Sequence, residues 1–165
     1  MVDITYGNIL LLGEAKSGKT SFVDQLINSH FSVQQPQFFQ DVMYKVKALG
    51  KEAVLTLCEG SGANKKRCLQ LIQQHQVAGI ILFLDLSKAG STGKLNSLIT
   101  LAQEIRCPCI IVGTNTDKKR EVEFKEVMDI ANSFNYSFVE LSNTNHNAVQ
   151  AVATLMGAKI SQNQQ

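Results

Sequence analysis

The apolar positions of this chain change period as it advances. Ile9-Leu10-Leu11-Leu12 is an unbroken apolar run, and Phe22, Val23, Leu26 and Ile27 follow it at helical spacing. The first pattern predicts a strand buried on both faces, and the second an amphipathic helix over residues 19–29. Val42 to Leu49 and Val54 to Leu57 read as two strands joined by a turn at Gly50-Lys51. Residues 68–75 suit a helix, and Ile80-Ile81-Leu82-Phe83-Leu84 is a second continuous run, as expected of a central parallel strand. Leu95, Leu98, Ile99, Ala102 and Ile105 form a helical stripe; Cys109-Ile110-Ile111-Val112 predicts a further central strand; Val127, Ile130, Ala131 and Phe134 form a second stripe. Phe138 to Leu141 predicts the last strand, and Val149, Val152, Leu155 and Met156 mark the last helix. This alternation predicts an α/β fold of three layers: a mostly parallel six-stranded sheet with helices on both faces. The hairpin of the second and third strands places one antiparallel strand at an edge, and ligands of such sheets bind at the strands' carboxyl ends. Repeats, low-complexity tracts and linkers are absent, which predicts one domain over residues 1–159 and a Gln/Asn-rich tail, 160–165, that frays.

The junction of the first strand and first helix carries chemistry. Residues 13–20 read Gly-Glu-Ala-Lys-Ser-Gly-Lys-Thr, the G-x-x-x-x-G-K-[ST] pattern of a phosphate-binding loop. Strand, glycine-rich loop and helix are the context that this mechanism needs. Backbone N–H groups of Gly13, Glu14, Ala15, Lys16, Ser17, Gly18 and Ser21 are expected to surround phosphate at a helix N-terminus. Lys19 would reach the β- and γ-phosphates, and Thr20 would hold Mg²⁺. The alternative is a glycine-rich turn without a ligand, against which both glycines, the lysine, the threonine and the flanks agree.

Composition adds exclusions. The net charge is +2, with 44% hydrophobic and 18% charged residues, so nothing suggests a nucleic-acid partner. The apolar runs are too short to span a bilayer. The start, Met-Val-Asp-Ile-Thr, lacks a signal-peptide pattern, and no terminal glycine or cysteine offers a lipid site, so no direct lipid anchor is expected. Cys58, Cys68, Cys107 and Cys109 have no second Cys/His cluster at metal-ligand spacing. Reduced thiols beside a sheet, in a soluble cytoplasmic protein, are the expectation.

The phosphate loop alone does not choose between ATP and GTP. After the fifth predicted strand the chain reads Val112-Gly113-Thr114-Asn115-Thr116-Asp117. With the phosphate loop and the apolar strands, this segment makes the whole chain resemble a small GTPase of the Ras superfamily, of Rab or Ras flavour: a P-loop NTPase G domain. The family's guanine motif, Asn-Lys-x-Asp, falls on Thr114 to Asp117. The resemblance implies that Asp117 reads guanine, since a carboxylate can accept from both N1–H and the 2-amino group, donors that adenine lacks. Asn115 stands where the family has a lysine packing on the base, and is too short for that. Ser142-Asn143-Thr144 corresponds to the family's Ser-Ala-Lys loop; the backbone of Asn143 is placed for the guanine carbonyl, and the covering lysine is replaced by Thr144. Phe31 stands where the family sets an aromatic ring against guanine, with a core role as the alternative. The implied ligands are GTP or GDP with Mg²⁺, at reduced affinity.

Both switch segments depart from the family. No Ser or Thr occurs from Val33 to Leu55, so the first switch has no hydroxyl for Mg²⁺; Gln37 or Phe38 takes the threonine's place. The second switch, Asp-x-x-Gly-Gln in the family, reads Glu59-Gly60-Ser61-Gly62-Ala63. Glu59 can hold a Mg²⁺-bound water, and Gly62 keeps the N–H that meets the γ-phosphate. Ala63 replaces the glutamine that orients the attacking water. Positioning and charge stabilisation supply most of phosphoryl-transfer catalysis, so intrinsic hydrolysis is expected to be very slow or absent, and no residue is assigned as a catalyst. Phe38 and Phe39, adjacent aromatics in the first switch, are the expected anchor for protein effectors or complex subunits. The basic run Lys65-Lys66-Arg67 reads as a solvated helix start on the same face. Three functions follow: a divergent guanine-nucleotide switch or adaptor; a pseudo-GTPase structural subunit that needs no turnover; and a small kinase, disfavoured because Arg67, Arg106 and Arg120 are the only arginines and do not cluster.

Overall fold

The computed structural model of the chain describes residues 3–27, 42–60 and 65–164. The elements run β1 (Ile4–Gly13), α1 (Lys19–Ile27), β2 (Val42–Ala48), β3 (Lys51–Glu59), α2 (Lys65–Gln73), β4 (Val77–Asp85), α3 (Ser91–Ile105), β5 (Cys109–Thr114), α4 (Phe124–Ser133), β6 (Ser137–Glu140) and α5 (His146–Asn163). Six strands form one sheet in the order β2-β3-β1-β4-β5-β6. Every neighbouring pair is parallel except β2 with β3. The antiparallel edge comes from the tight hairpin: Leu49 and Gly50 both take left-handed φ, 53° and 74°, the geometry of a two-residue turn that matches strand twist.

The continuous apolar runs follow from burial on both faces. On one side Ile9, Leu11, Ile81, Phe83, Ile110 and Val112 pack against α1 and α5 residues such as Phe22, Val152 and Met156. On the other, Leu10, Leu12, Ile80, Leu82 and Ile111 meet Leu71, Leu95, Ile99 and Val127 of α2, α3 and α4. Alternate residues of one strand thus serve two cores, the arrangement that period-2 geometry imposes on a covered parallel sheet. Phe22 meets Phe83 edge-on, with centroids 5.3 Å apart, which fixes α1 against β4 immediately below the phosphate loop.

Two segments differ from the sequence-based expectation. β1 begins at Ile4, because residues 4–8 pair with β3 from Ile4 to Asn8 even though that stretch alternates poorly. The tail does not fray after Lys159. α5 continues to Asn163, with Ile160 only 1% exposed, and Gln164 Nε2 donates to the Tyr6 carbonyl at 3.2 Å. Ile160 lies four residues beyond Met156 on the same helical face, so burial of one more side chain holds the polar end.

Because β1, β3, β4, β5 and β6 run parallel, their carboxyl ends share one edge of the sheet. Gly13, Glu59, Asp85, Thr114 and Glu140 end those strands. The motifs widely spaced in sequence are thereby gathered at one rim.

Candidate nucleotide site

The phosphate loop is held from inside by its own lysine. Lys19 Nζ donates to the carbonyls of Gly13 at 2.8 Å and Glu14 at 2.7 Å, with Ser17 Oγ at 3.4 Å. Lys19 is only 5% exposed; burial lowers its pKa, against the opposing charges of Glu59 and Glu14. The Ser17 N–H donates to the Glu14 carbonyl at 3.2 Å, and the Phe22 N–H to that of Gly18 at 2.9 Å, opening α1. The loop is therefore already curled at a helix N-terminus, with the partial positive charge that favours an anion.

Two neighbouring segments brace it. Thr114 is buried at the end of β5, and its Oγ1 donates to the Ser17 carbonyl at 2.8 Å, with the Leu84 carbonyl at 3.3 Å as second acceptor. Asn143 Nδ2 donates to the Gly18 carbonyl at 3.1 Å. Gly18 adopts φ 99°, and a Cβ there would lie 2.5 Å from Asn143 Nδ2, so only glycine fits the close approach. The Ser142–Asn145 segment is itself tied down: Leu141 N–H donates to the Gly113 carbonyl, Asn145 caps α5 through the Ala148 N–H, and His146 Nδ1 donates to the Gln25 carbonyl. Ser142 Oγ and Thr144 Oγ1 share a hydrogen bond of 2.8 Å.

Between these braces lies a cleft of about 810 Å³, lined by Ala15, Lys16, Gly18 to Ser21, Gln25, Asn115, Asp117, Lys118 and Ser142 to Thr144. That volume is in the range of sites for nucleotide-sized ligands. The lysine and threonine of the phosphate loop and the exposed Asp117 line this one cleft.

The sequence profile of the Ras family matches residues 8–162. The chain belongs to the Ras family. It is 31% identical over 144 residues to the Ras-related protein RABC2b of Arabidopsis thaliana, covering 81% of this chain and 69% of that one. The Ras-related protein RabC of Dictyostelium discoideum is 24% identical over 174 aligned positions, covering 94% and 89%. RabZ of the same organism is 24% identical over 142 residues, covering 81% and 62%. The six-stranded sheet with its single antiparallel edge is the small-GTPase fold, and membership implies GTP or GDP as ligand, usually with Mg²⁺.

Against that family frame, the structure shows how the altered positions are used. Asn115 does not extend over the cleft as a lysine stem would. It takes φ 63°, and its side-chain amide donates to the Asp85 carboxylate. Asp85 also accepts from Ser87 N at 2.9 Å and Ser87 Oγ at 2.6 Å. Burial works to raise the Asp85 pKa, but the hydrogen bonds from Asn115 and Ser87 and the charge of Lys118 outweigh it, so the group lies below its ordinary value. Lys118 is exposed and lines the cleft beside Asp117, a lysine that the motif alignment does not reveal.

Oxygen donors gather where β3 ends beside α1. Thr20 Oγ1 donates to Glu59 Oε2 at 3.2 Å. Asp24, one turn along α1 from Thr20, has a buried Oδ1 with no hydrogen-bond partner among the described residues. Burial raises the pKa of both carboxyls; for Glu59 the charge of Asp24 adds to it, while Thr20 and Lys19 act in the opposite direction. An oxygen-only donor set with an unsatisfied carboxylate nearby fits a hard divalent cation. Among the described residues no three His, Cys, Asp or Glu side chains gather to hold a metal by themselves. This suits Mg²⁺, which is usually held by one or two protein oxygens together with substrate phosphates. Thr20 would hold it directly, and Glu59 through a bound water.

Phe31, Phe38, Phe39, Gly62 and Ala63 lie outside the described residues. Of the sequence-predicted site, residues 13–21, Glu59, Thr114, Asn115, Asp117 and Ser142 to Thr144 meet at one rim. Asp24, Asp85, Gln25 and Lys118 belong to the same neighbourhood and were not found from the sequence. The four-residue spacing of Asp24 from Thr20 was an available signal, as was the position of Asp85 at a strand's carboxyl end.

The Asn143 brace gives a test in which two effects oppose. Its Nδ2 bond is worth about 1 kcal/mol, but its Oδ1 is buried without a partner among the described residues, a comparable cost. Asn143→Ala should therefore change unfolding free energy by less than about 1 kcal/mol, while nucleotide affinity falls about fivefold because the Gly18 carbonyl loses its tether. Chemical denaturation and a binding titration on the same variant separate the two.

Proposed function

We propose that this Ras-family small GTPase binds GTP and GDP with Mg²⁺, hydrolyses GTP very slowly, and works as a divergent switch or adaptor through protein partners. The observation that carries the binding half is Lys19, folded onto the Gly13 and Glu14 carbonyls so that the phosphate cradle exists before any ligand arrives. Preorganisation of this kind removes an ordering cost from binding. The loop backbone, Lys19 and Thr20 hold the phosphates and the ion; Asp117 accepts from the guanine edge; the Ser142 to Thr144 segment closes the far side. Bound Mg²⁺ would neutralise phosphate charge.

The catalytic half rests on what replaces the family's water-orienting glutamine. Ala63 has no group that can align a water. A lost positioning group costs rate even when binding is intact. In a single-turnover assay with γ-labelled GTP and Mg²⁺, hydrolysis is expected to be slower than about 10⁻⁴ s⁻¹. Complete turnover within minutes would contradict the reading.

The pseudo-GTPase reading is favoured by one specific observation, the absence of any Ser or Thr from Val33 to Leu55. A ligand shifts a conformation only through contacts that differ between states, and the first switch has no serine or threonine with which to sense the γ-phosphate or its ion. Partners are expected on the switch face, with Phe38 and Phe39 as anchors, in the cytoplasm. None of the four cysteines forms a disulfide. Burial pushes the Cys107 thiol up to about 11 and raises that of Cys109 as well, which disfavours the reactive thiolate at neutral pH. Among the described residues no helix is long and apolar enough to cross a membrane.

A further inference from the structure

Lys16 sits in the phosphate loop at φ 63°, in the left-handed region. The loop turns there, and a glycine would take that conformation without strain. The chain instead places a long, flexible cation at the bend. Non-glycine residues held in this region repay attention when they border a ligand site.

The surroundings of Lys16 differ from those of the other loop lysine. Its side chain is exposed and lines two cavities at once: the 810 Å³ nucleotide cleft, and a smaller one of about 190 Å³ between the phosphate loop and α3. Lys19 is buried and committed to two loop carbonyls. Lys88, which borders the smaller cavity, is paired with Glu14 at 2.9 Å. Lys16 forms no ion pair among the described residues, so its charge is available at the mouth of the phosphate cradle.

We infer that Lys16 is a second phosphate-binding cation, which swings over the cleft from the bend of the loop and favours a nucleoside triphosphate over the diphosphate. The inference rests on the nucleotide-binding reading and deepens it. A triphosphate brings an additional terminal phosphate whose charge must be compensated. The first switch offers no serine or threonine hydroxyl to do this through a metal, since Val33 to Leu55 contains neither residue. Lys16 supplies positive charge from within the loop itself, exposed where Lys19 is buried. Its long stem reaches without any rearrangement of the backbone, and as an exposed point charge it acts in a salt-dependent way.

The test compares wild-type protein with Lys16→Gly, Lys16→Gln and Lys16→Arg, each stripped of nucleotide and titrated with GTP and GDP in the presence of Mg²⁺. Lys16→Gly should bind GTP about tenfold more weakly and GDP no more than about threefold more weakly. Its melting temperature without nucleotide should not fall, because the glycine relaxes the bend. Lys16→Gln should share the binding defect, Lys16→Arg should restore the preference for GTP, and raising the salt concentration should weaken wild-type GTP binding more than that of Lys16→Gly. An unchanged GTP-to-GDP affinity ratio in Lys16→Gly overturns the inference while leaving nucleotide binding intact. Failure of the wild-type protein to bind either nucleotide is a distinct result: it overturns the nucleotide-binding reading, and the role of Lys16 with it.

Discussion

Replacement of Lys19 by alanine should lower affinity for both GTP and GDP by at least about 100-fold, the order of two lost charge-assisted hydrogen bonds. Lys19 serves two purposes that the substitution removes together. Its ammonium holds the Gly13 and Glu14 carbonyls at 2.8 and 2.7 Å, which keeps the loop curled. It would also supply the cation that the phosphates meet. The effect on folding should be smaller than the effect on binding, because burial already penalises the charge and lowers its pKa. Lys19→Arg should not rescue, since a planar guanidinium does not fit a pocket shaped for a compact ammonium. Calorimetric titration of the stripped variants, with unfolding curves alongside, checks both statements. Binding of Lys19→Ala within tenfold of wild type would show that the loop is not the phosphate site.

The second large effect is expected at the base end. Asp117→Asn should reduce GTP affinity by about 30- to 100-fold and raise affinity for the xanthine nucleotide XTP. The carboxylate offers two acceptors to guanine N1–H and the 2-amino group. The amide keeps one acceptor and turns the other position into a donor, which faces guanine's amino group unfavourably and xanthine's 2-carbonyl favourably. Asp117 is exposed on the rim, so water compensates part of the loss, and the expected change is smaller than a fully buried site would give. Competition titrations with GTP, XTP and ATP read this directly. Equal losses for GTP and XTP would mean that Asp117 supports the loop without reading the base.

The fold was largely legible because its central strands are covered on both faces. Ile80 to Leu84 and Cys109 to Val112 must be apolar at every position, and no exposed element would tolerate such runs. The extension of β1 to Ile4 was hidden, because those residues owe their strand conformation to pairing with β3. The tail was misread because glutamine and asparagine dominate its composition, whereas one isoleucine at the right helical spacing decides its structure. In the site, residues 13–20 were legible because the motif prescribes a local backbone path. The roles of Asn115 and Asn143 were not. The sequence indicated that Asn115 is too short to cover a base, but its bond to Asp85 depends on β4 and β5 ending side by side. Asn143 reaches Gly18 across 125 residues of chain, and the unsatisfied oxygen of Asp24 arises from packing around α1. These are tertiary facts, and a linear pattern contains no term for them.

The most direct test of the account is the nucleotide content of the natively purified protein, released by denaturation and identified by chromatography. The account predicts guanine nucleotide close to one per chain, with GTP persisting because hydrolysis is slow, and no adenine nucleotide. An empty cleft that also fails to take up GTP with added Mg²⁺, or a cleft filled by ATP, would contradict it.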